Sequence, residues 1–258
     1  MYRRLIILLS GVLFFLVSAL IIAQDEPKDM LYMVHKDVIK ANKVTQYEKA
    51  VNELYEQFKI HNFGMQIQFA SSNDENEYFY LTPINSYADL DKADAIWDEL
   101  YKKAGEETMS AIDKQFEGCY EHHNNYVIRF STELSYIPEN PRLKPEDANF
   151  RHWDYYQVEE GKEQQAMELA KKFKELWTKN NVGDGYTVAI ADIGHDLGLM
   201  VVVQSAKSAV DFYQQSEKLM ETMGDEINKL NDEFMKLTRD FRHVNGKPHP
   251  EWVYTPSE

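Results

Sequence analysis

Residues 150–158, FRHWDYYQV, read as a β-strand, and the residues after them place Ala166, Leu169, Ala170, Phe173, Leu176 and Trp177 on one stripe. β-branched and aromatic side chains suit the pleated surface of a sheet, whereas apolar residues three and four apart line one side of a helix. The same strand-then-helix order stands 120 residues earlier, in residues 30–38 (MLYMVHKDV) and in Tyr47, Val51, Leu54, Tyr55 and Phe58. The chain therefore reads as a duplication.

Working outward, each helix is followed by two short β-forming runs around a polar tip. Residues 65–69 and 78–81 flank the tip 71–77, and residues 186–190 and 199–203 flank the tip 192–196. These predict two hairpins. Further helices open on Ser86-Tyr87-Ala88-Asp89 and on Ser208-Ala209-Val210-Asp211, each a hydroxyl cap with a carboxylate three residues on. Met109, Ile112, Phe116 and Cys119 of the third helix recur 118 residues later as Ile227, Leu230, Phe234 and Leu237. The same offset relates Tyr136 and Pro138 to Tyr254 and Pro256, and residues 139–148 (ENPRLKPEDA) read as a linker between halves 24–138 and 149–258.

Strand, helix, strand, strand, helix pair, strand is the split βαβ, or ferredoxin-like, unit, whose helices cover one sheet face and leave the other apolar face needing a partner. Two such units on one chain resemble the dimeric α+β barrel superfamily. The resemblance covers residues 30–256 and rests on element order and duplication. It implies an α+β fold with both sheets combined in a barrel, and a site either inside the barrel or between sheet and helices. The superfamily includes cofactor-free monooxygenases, haem enzymes, stress-response barrels and members without established activity, and no catalytic residue carries over by motif.

Ahead of the duplication, Arg3 and Arg4 precede nineteen uncharged residues, 5–23 (LIILLSGVLFFLVSALIIA). A basic cap followed by an apolar run predicts a signal helix for export, cleaved after Ala23 or Ala19 or retained as an anchor, since nineteen residues just reach the length that spans a bilayer. The protein is expected to be periplasmic or secreted. Its 28 Lys and Arg against 43 Asp and Glu give −15, which becomes −17 when Arg3 and Arg4 leave with the signal. Such a charge disfavours nucleic acid and anionic lipid as partners. Cys119 is the single cysteine, so no intrachain disulfide forms, and its place on an apolar stripe marks it as core.

None of the eight histidines has a recognised metal-ligand spacing, and neither a metal nor a cofactor is expected. His122-His123 reads as a solvated helix end, His243 and His249 as flanks of the turn 244–248, and His195 as an exposed hairpin tip. The acidic tip 72–77 lacks the ligand order of an EF-hand. A haem site would need a histidine on a helical stripe, and these stripes are apolar. His35 and His152 lie on the first strand of each half, where alternate residues face the barrel interior. The catalytic candidates are therefore His152, Asp154 and His35, with Trp153, Tyr155 and Tyr32 as an aromatic wall; the plainer alternative makes the aromatics core and turns His152 outward. Three functions fit: binding of a small apolar molecule or an envelope partner, cofactor-independent oxygenation or isomerisation of an aromatic substrate, or structural docking in the envelope.

Overall fold

A computed structural model describes residues 29–257, so the signal segment lies outside the described residues. In the first half, β1 (Met30–Ile39), α1 (Val44–His61), β2 (Phe69–Asn73), β3 (Glu77–Ile84), α2 (Ala93–Ala104), α3 (Glu106–Phe116) and β4 (Tyr120–Tyr136) follow one another. The second half runs β5 (Phe150–Val158), α4 (Glu163–Lys179), β6 (Tyr186–Ala191), β7 (Leu199–Ala206), α5 (Ala209–Met235) and β8 (Thr238–Pro248). α5 begins where the sequence predicts, whereas the first-half cap opens a 3-10 turn, Tyr87–Lys92, that leads into α2. Ser86 and Asp89 form a reciprocal capping box, and the Ser208 hydroxyl accepts the Asp211 backbone N–H. α5 is broken at Gly224, whose φ of 53° is the left-handed value that glycine adopts without strain. That break reproduces the α2–α3 pair. Among the described residues, no helix is long and apolar enough to cross a membrane.

All eight strands are antiparallel and close into one barrel in the order β1-β3-β2-β8-β5-β7-β6-β4. The halves join edge to edge at two seams: Ser71–Asn73 of β2 against Gly246–Pro248 of β8, and β4 against β6 from Ile128↔Ala191 to Ser131↔Val188. Closure removes every open sheet edge. At the first seam a Cβ on Gly246 would stand 1.9 Å from the Ser72 carbonyl oxygen, so only glycine allows that approach. The seam also corrects the first hairpin. Ser71, Ser72 and Asn73 are buried strand residues instead of a polar tip, because β8 covers them, while Ile67 makes only an isolated bridge to Tyr254.

Two apolar layers lie between the sheet and its helices. The first half packs Tyr47, Tyr55, Phe58 and Leu100 against Trp252 and Tyr254 of the chain's end, and the second packs Leu169, Trp177, Tyr186 and Phe234. Tyr32, Val34, Phe79 and Leu81 form a third group inside the barrel. In the connection between halves, Arg142 donates to both Asp184 and Asp211.

Candidate functional site

The pleat of β5 sends neighbouring residues to opposite faces, and both faces are covered. Arg151, Trp153 and Tyr155 point into the barrel, whereas His152, Asp154 and Tyr156 point to the helices. β1 divides in the same way. Tyr32 packs inside the barrel against Phe69 and Phe130, donating its hydroxyl to Gln68, while His35 and Asp37 face outward. This corrects the barrel-facing reading of His35 and His152, agrees with the plainer alternative that turned His152 to the other face, and separates both histidines from Trp153, Tyr155 and Tyr32. The barrel takes the aromatics and the helix side takes the histidines.

Strand register then assembles a polar cluster in the second half. Asp154 is opposite His243 on β8, and His152 is opposite Asn245. The His152 ring is held at both nitrogens, Nδ1 2.7 Å from Asn245 Oδ1 and Nε2 3.1 Å from Asp154 Oδ1, and it stacks on Phe212 at 4.4 Å. Asn245 in turn donates to the Tyr213 hydroxyl at 3.2 Å. Burial disfavours the charged ring, yet the hydrogen bonds to Asp154 and Asn245 outweigh it and raise the His152 pKa above its ordinary value. His243, read from sequence as flanking a turn, lies within β8 because that strand runs on to Pro248.

This cluster opens onto a cavity of about 460 Å³ between the sheet and helices α4 and α5. Its walls are mostly apolar: Phe173 and Trp177 from α4, Phe212, Met220 and Phe234 from α5, and Met200 and Val202 from β7. A mostly apolar chamber of this size with a few convergent polar groups is the usual make-up of a small-molecule site.

The first half carries the same four residue types. His35 Nδ1 is 2.7 Å from Asn125 Oδ1, His35 Nε2 is 3.0 Å from Asp37 Oδ1, and His123 Nδ1 is 3.7 Å from that same oxygen. Burial opposes charge on His35, and the adjoining Asp37 carboxylate with Asn125 reverses this, raising its pKa. The other Asp37 oxygen accepts the Tyr47 hydroxyl at 2.6 Å, and Tyr47 also contacts the Tyr80 hydroxyl at 2.8 Å. His122-His123 lies in β4, since that strand begins at Tyr120. A signal for both clusters existed in the sequence: His-x-Asp at 35–37 and 152–154, and His-x-Asn at 123–125 and 243–245.

The barrel interior holds a separate cavity of about 380 Å³. Lys36 donates to Glu77 at 2.5 Å, and the Arg242 guanidinium, 4.4 Å above the Tyr155 ring, also reaches Glu77. Burial opposes the Glu77 charge, but Lys36, Asn73 and Arg242 together lower its pKa. Arg151 Nε is buried without an acceptor, and burial lowers the Arg151 pKa. His195, expected to be exposed at its hairpin tip, instead packs on Tyr126 and lines this cavity. Cys119 is fully buried and burial raises its thiol pKa, as its apolar stripe predicts.

Neither a protein-family profile nor a curated protein matches the sequence. Solved structures do. An anthrone oxidase-like protein superposes with a TM-score of 0.57 at 11% identity, covering 86% of this chain and 92% of the other. Proteins provisionally described as monooxygenases give 0.52 at 13% identity (Fusobacterium nucleatum; 86% and 93% covered) and 0.51 at 8% (Lactobacillus acidophilus; 86% and 94%). The chain thus has the fold of the dimeric α+β barrel proteins, with both units on one polypeptide. At these identities the likeness is one of fold.

Proposed function

We propose that the protein binds an apolar, aromatic-sized small molecule in the cavity between the second-half sheet and α4–α5, with a polar group of the ligand turned to His152 and Asp154. The observation that carries this is that His152 and Asp154, held together with Asn245, line a mostly apolar chamber of about 460 Å³. A flat ring system is favoured because the Phe212, Phe173 and Trp177 rings offer faces and edges to it. A panel of hydroxylated polycyclic aromatics should raise the melting temperature of the wild-type protein. Ala170→Trp, which fills the chamber, should abolish the shift. No shift with any member of the panel defeats the reading.

A catalytic version of the same site is cofactor-independent oxygenation or isomerisation, in which the His152–Asp154 pair removes a proton from the bound ring system. Both ring nitrogens of His152 are engaged, so the substrate hydroxyl must displace Asn245 or Asp154 before proton transfer. Anthrone-type phenols suit this chemistry, and the anthrone oxidase-like neighbour makes them the first choice of substrate. Oxygen uptake on adding anthrone, lost in His152→Gln, supports catalysis; binding without turnover leaves a carrier. Export by residues 5–23 belongs to the same proposal, and fractionation of the native host tests it.

A further inference from the structure

We propose that each half of the protein holds one divalent transition-metal ion, the first on His35, Asp37 and His123 and the second on His152, Asp154 and His243. In each set the three ligand atoms lie within 4.8 Å of one another. Two donors each about 2.1 Å from one ion stand about 3 to 3.5 Å apart. The contacts His35–Asp37, His123–Asp37 and His152–Asp154, at 3.0, 3.7 and 3.1 Å, are near that spacing.

Three further features separate these sets from plain ion pairs. Asp37 is almost wholly buried, and two imidazoles converge on its Oδ1, His35 at 3.0 Å and His123 at 3.7 Å. Two imidazoles gathered on one buried carboxylate oxygen are more than a single ion pair requires, and together they make the donor set of a transition-metal ion. Secondly, Asn125 and Asn245 occupy Nδ1 of His35 and His152, which leaves Nε2 beside the carboxylate as the donor atom. An acceptor on the far ring nitrogen is the arrangement that fixes tautomer and orientation in metal-binding histidines.

The third feature is recurrence out of register. Each first strand has a bulge, before Ile39 in β1 and before Val158 in β5. Counting back from it, His35 is the fourth residue and His152 the sixth. Copying of aligned positions would not put the cluster in both halves, since the residue aligned with His35 is Asp154. The same four side chains on the same face, one pleat apart, point to a shared demand for the set.

Two imidazoles and one carboxylate suit zinc, iron(II) or cobalt(II) better than calcium or magnesium, which take oxygen ligands. Three protein donors leave coordination positions open, and in the second half the donors line the apolar cavity. The inference does not rest on the ligand reading, because metal binding requires nothing in the cavity. An ion on His152 Nε2 does take the lone pair that the catalytic version needs, and so excludes His152 as its proton acceptor.

The test uses the full chain, stripped with chelator and then equilibrated with Co(II). Elemental analysis should find two ions per chain, accompanied by d–d absorption. His123→Ala and His243→Ala, both exposed and therefore safe for folding, should each remove one ion, and the double variant should bind none. His122→Ala should keep two. Fewer than two ions on the wild type overturns the paired assignment, and two ions surviving the double substitution overturns the location.

Discussion

The two halves carry the same polar set but bury opposite members of it. In the first, the Asp37 side chain is 4% exposed and His35 39%; in the second, His152 is 7% exposed and Asp154 19%. The one-pleat displacement accounts for the reversal. Two residues before the bulge stands Asp37 in the first half and Tyr156 in the second, so the aspartate sits deep under α1 in one and nearer the rim in the other. Around Asp37 the space between sheet and helices is filled by Tyr47 and Tyr55 of α1, Tyr80 of β3 and Trp252 near the chain's end. Over His152, α4 and α5 leave a chamber. The sheet thus supplies a polar cluster to both halves, and the helix layer decides whether it opens on a filled core or a cavity.

The largest expected effect tests the filled core. Tyr47 is fully buried, packs on Tyr78 and Phe116, and donates to Asp37. Tyr47→Ala should destabilise by about 3–5 kcal/mol, as large aromatic truncations in closed cores do. Chemical denaturation measures it. A loss below about 1 kcal/mol would mean that the first half is as open as the second.

Next comes the contact that couples the halves. Glu77 and Lys36 belong to the first and Arg242 to the second, and all three meet inside the barrel. Glu77→Gln should cost about 3 kcal/mol by leaving two cations without their buried partner. The pH dependence has a definite sign. The Glu77 pKa is lowered in the folded state, so its contribution is complete above the ordinary glutamate value and is lost as pH falls through the depressed one. Wild type should therefore lose stability on acidification more steeply than Glu77→Gln. Parallel acid titrations would break the assignment.

Much of this fold was legible because its signals are local. The stripes of α1 and α4, the Ser86 and Ser208 caps and the 118-residue offset between Ile112 and Leu230 each need only a few neighbouring residues. The site was less so. His35 meets Asn125 only through the register of β1 on β4, ninety positions apart, which no local pattern encodes. Strand face was hidden for a different reason: β1 and β5 are covered on both sides, so apolar alternation does not distinguish barrel from helix side. Val34 and Trp153 look as buried as Ile39 and Phe150. Ser71–Asn73 misled in the opposite sense, because a polar run normally marks a turn and here it forms a seam.

The reversed burial makes a paired prediction of intermediate size. Asp37→Asn disturbs a buried oxygen bonded to Tyr47 and should cost about 1–3 kcal/mol, whereas Asp154→Asn, nearer the rim, should cost under about 1 kcal/mol. For the histidines the order inverts. His152→Gln should destabilise more than His35→Gln, since His152 is enclosed by Phe212 and Asn245. Denaturation of all four metal-free variants decides it, and equal losses in both halves would erase the distinction.

The smallest effect is expected at the chamber's rim, where it separates stability from binding. Met220 is 39% exposed and lines the cavity, and the residue 118 positions earlier is Lys102, which is exposed on α2. Met220→Ala should change stability by less than about 0.5 kcal/mol, because a half-exposed side chain has little packing to lose. It should nevertheless weaken an aromatic ligand by roughly fivefold, the equivalent of about 1 kcal/mol of lost apolar contact. Lys102→Ala should alter neither quantity. If Met220→Ala leaves affinity unchanged while Ala170→Trp abolishes it, the ligand enters deeper than the α5 rim, between Phe173 and Trp177, and the opening of the chamber lies elsewhere.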